Sequence, residues 1–245
     1  MPATGRTFHQ FPPPRRGVVQ NLETYQIPQD GLADSLNVII DDSGKLTQRL
    51  GYKKFVSDTV ASRPLGAYFY RLSSGSRRLV VGTKVGWEYF DVSAQAWANI
   101  SGTAMTGTDL SLVRFTEFMS GTTNWLISTN NLNTLKKWDG LTATYVEAST
   151  TTLDAARDIT GVANRLVVAN VNDNGSIKPD AVVHGAINDI DGLTTVNIAR
   201  LPEVGSEIIA CRAITRTNFV VYGDKAQMLG AAQLGTSPFR FEVVA

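Results

Sequence analysis

The sequence predicts an all-β chain, a β-propeller-like array of small antiparallel sheets, either closed by its last strand or incomplete at the C-terminus. Two observations carry that prediction. Four short apolar strand cores recur, RRLVVGT around Val80, NWLIST around Leu126, NRLVVAN around Val167 and TNFVVYG around Val220, at intervals of about 46, 41 and 53 residues. That is the spacing of four-stranded units stacked side by side. No ten-residue stretch shows a convincing helical period; the best, TTLDAARDITGVANRL, carries Thr and Gly where a stable helix disfavours them. Each apolar core is followed by a turn and another strand, GWEYFDV, LKKWDGL, DAVVHGAI and AQMLGAAQ. A sheet this small cannot bury both faces alone, so neighbouring sheets must cover it.

Composition bounds the rest. A chain of 245 residues holds one all-β domain or two ordinary ones and can bury a sizeable core. Lys and Arg (23) almost balance Asp and Glu (22), leaving a net charge of +1 and no global electrostatic drive toward nucleic acid or anionic lipid. The single cysteine, Cys211, excludes a disulfide within the chain and any cysteine-rich metal cluster, and its apolar surroundings read as a small buried side chain. The N-terminus lacks the apolar segment of a signal peptide, and no apolar run approaches the ~18 residues of a membrane helix. Synthesis in a cytoplasm without membrane insertion by this chain is the expectation.

Taken in order, residues 1–30 read as an extended N-terminal arm and lead-in, and residues 31–245 as the propeller-like β domain. Pro12, Pro13 and Pro14 fix three φ angles and lack amide donors, which favours polyproline II. With Arg15 and Arg16 directly after them, they form a stiff basic segment that either docks on a neighbouring subunit or stays solvated. Gly31 to Ser35 can form one helical turn capped by Asp30. Leu36, Val38 and Ile40 then alternate as a strand, Asp41-Asp42-Ser43-Gly44 supplies a turn, and Lys45 to Arg49 returns as a second strand. The four repeats follow. The chain ends on the strand PFRFEVVA: either that strand completes the first sheet, or the chain is a fragment of a longer protein.

The hairpin carries a resemblance. Ala33, Leu36, Asn37, Val38, Asp41, Gly44, Leu46, Arg49, Gly51 and Tyr52 form a pattern that resembles the opening of bacteriophage virion proteins of the tail nozzle, packaged-DNA stabilisation and tail-hub type. It covers about a tenth of the chain, and the repeats extend it. The resemblance implies a homo-oligomeric ring of six copies in the virion tail, assembled in the host cytoplasm. It also implies contact with portal-adaptor and other tail proteins, and transient, non-specific contact with genomic DNA passing through a channel.

Motifs of catalysis are not recognisable. His9 and His184 are the two histidines; no nucleophile elbow, P-loop or zinc-protease motif occurs, and no enzyme activity, cofactor or metal is expected. Asn170 to Gly175 looks like a calcium loop, but the twelfth position would be Ala181, so it reads as a long loop with an Asn-Gly turn. Glu88, Asp91, Glu117, Asp139 and Glu147 are scattered carboxylates with no motif to pair them for glycoside hydrolysis. Basic pairs recur at Lys53-Lys54, Arg77-Arg78 and Lys136-Lys137, besides Arg15-Arg16. Around a DNA passage these would contact phosphates; otherwise they are solvated or ion-paired. The alternative function is a virion-surface glycan-binding module or depolymerase using exposed aromatics such as Trp87, Tyr89 and Trp97.

Overall fold

The computed structural model describes residues 38–40, 46–48, 56–148, 153–193, 197–234 and 237–244. The chain divides into two compact units, Met1–Phe55 and Val56–Ala245. In the first, β1 (Val38–Ile40) pairs antiparallel with β2 (Leu46–Gln48), Val38 opposite Gln48 and Ile40 opposite Leu46, so the hairpin forms. The arm Pro12 to Arg16, the helical turn at Gly31 to Ser35, the turn Asp41 to Gly44, and Lys53 and Lys54 lie outside the described residues.

The second unit is four sheets of four antiparallel strands, each an unbroken meander. The first holds β3 (Gly66–Arg71), β4 (Arg77–Gly82), β5 (Trp87–Asp91) and β6 (Ala96–Ile100). Next come β7 (Arg114–Ser120), β8 (Thr123–Thr129), β9 (Lys136–Trp138) and β10 (Val146–Glu147). The third is β11 (Leu153–Val162), β12 (Arg165–Asp173), β13 (Ser176–His184) and β14 (Ile198–Arg200), and the fourth β15 (Ile208–Ala213), β16 (Asn218–Gly223), β17 (Gln227–Ala232) and β18 (Phe239–Val243). Each apolar core singled out in the sequence is the second strand of its sheet. β12 is buried at nearly every position because it is paired on both edges and covered on both faces, which is why its letters run apolar rather than alternate.

Four sheets enclose three cores. Between the first and second sheets the packing is aromatic: Trp138 lies 5.8 Å from Tyr70 and 5.7 Å from Tyr89, and Trp87 lies 5.0 Å from Tyr145 and 5.3 Å from Phe115. Such pairs add about 0.5–1.5 kcal/mol each to the area they bury. The second core is aliphatic, with Ile127, Leu135, Ile159, Leu166, Val168 and Val183. The third joins Val167, Ala169 and Val182 to Cys211, Phe219, Val221 and Met228. First strands lie side by side, β3 against β7, β7 against β11 and β11 against β15. Among the described residues no strand pairing joins the fourth sheet to the first, so the propeller-like array is unclosed. The last strand, β18, completes its own sheet by pairing with β17 and adds nothing to the first.

Turns follow the local chemistry. Asn174 and Gly175 take φ of 49° and 75° between β12 and β13, the two-residue hairpin turn that an Asn-Gly pair favours. The anticipated long loop is absent here: Asn170 to Asp173 belong to β12, since the Asn170 amide donates across to the Ile208 carbonyl (3.0 Å) and Asp173 is ion-paired to Lys178.

Gly66 marks the closest approach between first strands. A Cβ there would stand 2.0 Å from the Val113 carbonyl oxygen, whose residue donates its own N–H to the Leu65 carbonyl at 3.1 Å. Gly66→Ala is expected to destabilise the fold by about 1–3 kcal/mol, a fall of roughly 2–4 °C in Tm per kcal/mol. Gly86→Ala, which meets only the Tyr145 hydroxyl at 3.5 Å, is expected to change stability by less than about 0.5 kcal/mol. Thermal melts of the two variants followed by circular dichroism check the contrast.

Candidate functional site

The four first strands line one groove of about 410 Å³, bordered by Tyr68 on β3, Phe115 and Thr116 on β7, Ile159 on β11 and Arg212 on β15. First strands are sheet edges, so one row of their backbone groups finds no partner in its own ladder. Side chains, and in places a backbone N–H of the neighbouring sheet, supply the missing partners. The Arg71 N–H donates to Glu117 Oε1 (2.8 Å), and Asn124 Nδ2 donates to the Arg71 carbonyl (2.6 Å). Asn131 N–H and the Thr129 hydroxyl both donate to the Ala156 carbonyl. The Cys211 N–H donates to Asp158 Oδ2 (2.8 Å) and the Ala213 N–H to Thr160 Oγ1 (3.2 Å).

Asp158 is buried, and its charge is balanced by the Arg212 guanidinium, which donates to the same oxygen while remaining half-exposed. Burial acts to lower the Arg212 pKa, but the hydrogen bond and attraction of Asp158 outweigh it and hold the cation above its usual range. Burial, reinforced by Asp158, pushes the Cys211 thiol well above its ordinary pKa. The His184 imidazole is lowered by burial; its ring stands edge-on to Phe239 at 5.6 Å. It is therefore a packing residue in the third core's margin. At Asp139, partial burial works upward, yet hydrogen bonds from the Thr142 and Leu141 N–H groups and the Thr142 hydroxyl hold the carboxyl below its usual range. That residue shapes the β9–β10 turn.

The two basic pairs among the described residues, Arg77-Arg78 and Lys136-Lys137, fall on strands. Lys136, on β9, is 2% exposed and bonds Glu147 Oε1 at 2.5 Å; its neighbour Lys137 bonds both Asp191 oxygens (2.6 and 2.7 Å) with its Nζ 5.3 Å from the Trp125 ring. Arg78, on β4, stacks over Tyr89 at 4.4 Å and reaches Trp138 at 5.7 Å, whereas Arg77 is exposed and lies over Phe69 at 5.7 Å. Trp87, offered as an exposed aromatic, is fully buried, because its position on β5 faces the aromatic core. Among the described residues no group of three or more His, Cys, Asp and Glu side chains could hold a metal ion.

Single arginines, which a search for pairs passes over, are what the array gathers. Arg114 on β7 and Arg157 on β11 line one pocket at an end of the inner face, and Arg212 lines the adjoining groove. Arg157 pairs with Glu207 at 2.5 Å. For Arg114 no acceptor lies against the guanidinium among the described residues. In sequence each first strand carries one isolated arginine, Arg71, Arg114, Arg157 and Arg212, and nothing there marks which of them gather.

No family model matches the chain, and no curated protein matches it. Among solved structures, a chain from a crystal structure of a mitotic checkpoint complex is similar at 14% identity and a TM-score of 0.40, covering 82% of this chain and 68% of that one.

Two outcomes are expected. Asp158→Ala strands the buried Cys211 N–H without an acceptor and should cost about 1–3 kcal/mol, read as a lower urea midpoint at unchanged slope. The Cys211 thiol should be silent toward Ellman's reagent at pH 8 in the native protein and release one equivalent in guanidinium, since it is the one cysteine present.

Proposed function

We propose that this chain is a structural protein of a tailed-phage virion, a ring-forming component of the tail nozzle or hub that holds and conducts the packaged genome. One observation carries the reading: the array is unclosed, and both of its end sheets expose large apolar side chains. On the first sheet Phe69 is 59% exposed beside Leu79; on the fourth, Tyr222 and Val243 are exposed. Apolar groups clustered outside a folded array mark surfaces that meet another protein. A head-to-tail contact between the first sheet of one copy and the fourth of the next repeats by rotation and closes into a ring.

The hairpin pattern from Ala33 to Tyr52 supports placing that ring in a phage tail, with about six copies and with portal-adaptor and other tail proteins as neighbours. The arm from Pro12 to Arg16 then contacts an adjacent subunit. Genome contact is transient and non-specific, with exposed cations such as Arg77 meeting phosphates. The role is structural and needs no cofactor. Negative-stain electron microscopy and sedimentation of the purified full chain test it: a ring or tapered tube with an axial channel is expected. Monomers at tens of micromolar with no axial assembly, above all monomers that bind host polysaccharide, would overturn it.

A further inference from the structure

At one end of the inner face a pocket of about 300 Å³ collects features found together nowhere else among the described residues. Its rim carries Leu110 (85% exposed), Leu112 (52%), Leu132 (54%) and Ile209 (43%), four large apolar side chains turned to water. Its remaining wall is polar: Arg114 and Arg157, with Ser111, Asn130 and Asn131. Arg157 already has a carboxylate, Glu207, but Arg114 has none among the described residues. An apolar rim around a guanidinium that lacks its counter-charge is the complement of an aliphatic segment bearing a carboxylate.

The rim is held in place before any ligand arrives. Asn130 accepts from the N–H groups of Leu132 (3.2 Å) and Asn133 (2.9 Å), which fixes the loop displaying Leu132. Thr108 and Ser111 fix the other loop: the Thr108 N–H donates to Ser111 Oγ (3.0 Å) and the Leu110 N–H to Thr108 Oγ1 (3.2 Å). The two loops are tied together, since the Thr106 N–H donates to Asn133 Oδ1 (2.9 Å) and Asn130 Nδ2 to the Thr106 carbonyl (3.0 Å). Such order lowers the entropy lost on binding.

We infer that this pocket docks a short peptide segment of a partner protein in which a carboxylate is flanked by aliphatic side chains. The carboxylate takes the Arg114 guanidinium in a charge-assisted hydrogen bond, and the aliphatic side chains cover the leucine rim. This goes beyond the assembly reading and does not depend on it, because a monomer carries the whole pocket.

The test is fluorescence anisotropy of the full chain with a fluorescein-labelled peptide, Gly-Leu-Glu-Leu-Gly, and its Gln and Lys versions at the central position. Saturable binding is expected, with the Glu peptide about ten-fold tighter than the Gln peptide and the Lys peptide weaker still. Arg114→Met should abolish the preference for Glu over Gln while leaving the circular dichroism spectrum unchanged. Leu112→Ser should weaken all three peptides by about ten-fold. Equal affinity for the Glu and Gln peptides, no saturation by any peptide up to about 1 mM, or an Arg114→Met protein that keeps the preference would each overturn the inference. So would a single-stranded DNA of about 20 nucleotides that displaces the Glu peptide through Arg114, which would make the pocket a phosphate site instead.

Discussion

A β-sheet edge exposes backbone donors and acceptors that must be satisfied, and this array places four such edges side by side around one groove. Strand-to-strand ladders cannot form there, because neighbouring first strands belong to different sheets. The chain meets the requirement with polar side chains at a few positions: Glu117 and Asn124 between the first two sheets, Thr129 between the second and third, Asp158, Thr160 and Asn170 between the third and fourth. At Gly66 the backbone itself makes the link, since the Val113 N–H donates to the Leu65 carbonyl. The buried carboxylate of Asp158 is the most demanding of these bridges, since a charge out of water is tolerated only when it is paired and hydrogen-bonded. Arg212 meets that demand from the groove side, where half of its side chain still reaches solvent.

The cores differ in kind, and the difference decides where cations can go. The first interface is built from Tyr70, Tyr89, Trp87 and Trp138, whose ring faces attract positive charge, so Arg78 lies over Tyr89 instead of extending into water. Lys137 lies near Trp125, and Lys136, itself buried, is paired with Glu147 on the edge strand β10. Arg78, Lys136 and Lys137 are in this way drawn into packing and ion pairs, while Arg77 stays exposed. Charge pairing along a sequence says little about exposure when aromatic faces and carboxylates are within reach.

Legibility of the fold tracks burial. Val80, Leu126, Val167 and Val220 announced their strands because the second strand of each sheet is paired on both edges, and in the two inner sheets it is also covered on both faces, which favours an apolar run. First strands were harder to see: LDAARDITGV mixes Arg157 and Asp158 with apolar letters because one side of β11 bridges to β15. Asn170 to Asp173 looked like a loop for the same reason, their polarity being used inside the structure. The Arg114 pocket was not legible at all. Its two arginines and four apolar side chains come from loops and strands of three sheets, and nothing in local spacing links them.

Three cores stacked in a row, each touching only its neighbours, give the array the energetics of a linear lattice instead of a globule. Every sheet is a meander, so its contacts close short loops, and each additional sheet gains stability from one interface only. Loss of the fourth sheet exposes the third core but leaves the aromatic one intact. Opening from the fourth-sheet end is therefore a sub-global step, during which the sheets flanking the aromatic core keep their amide protons protected.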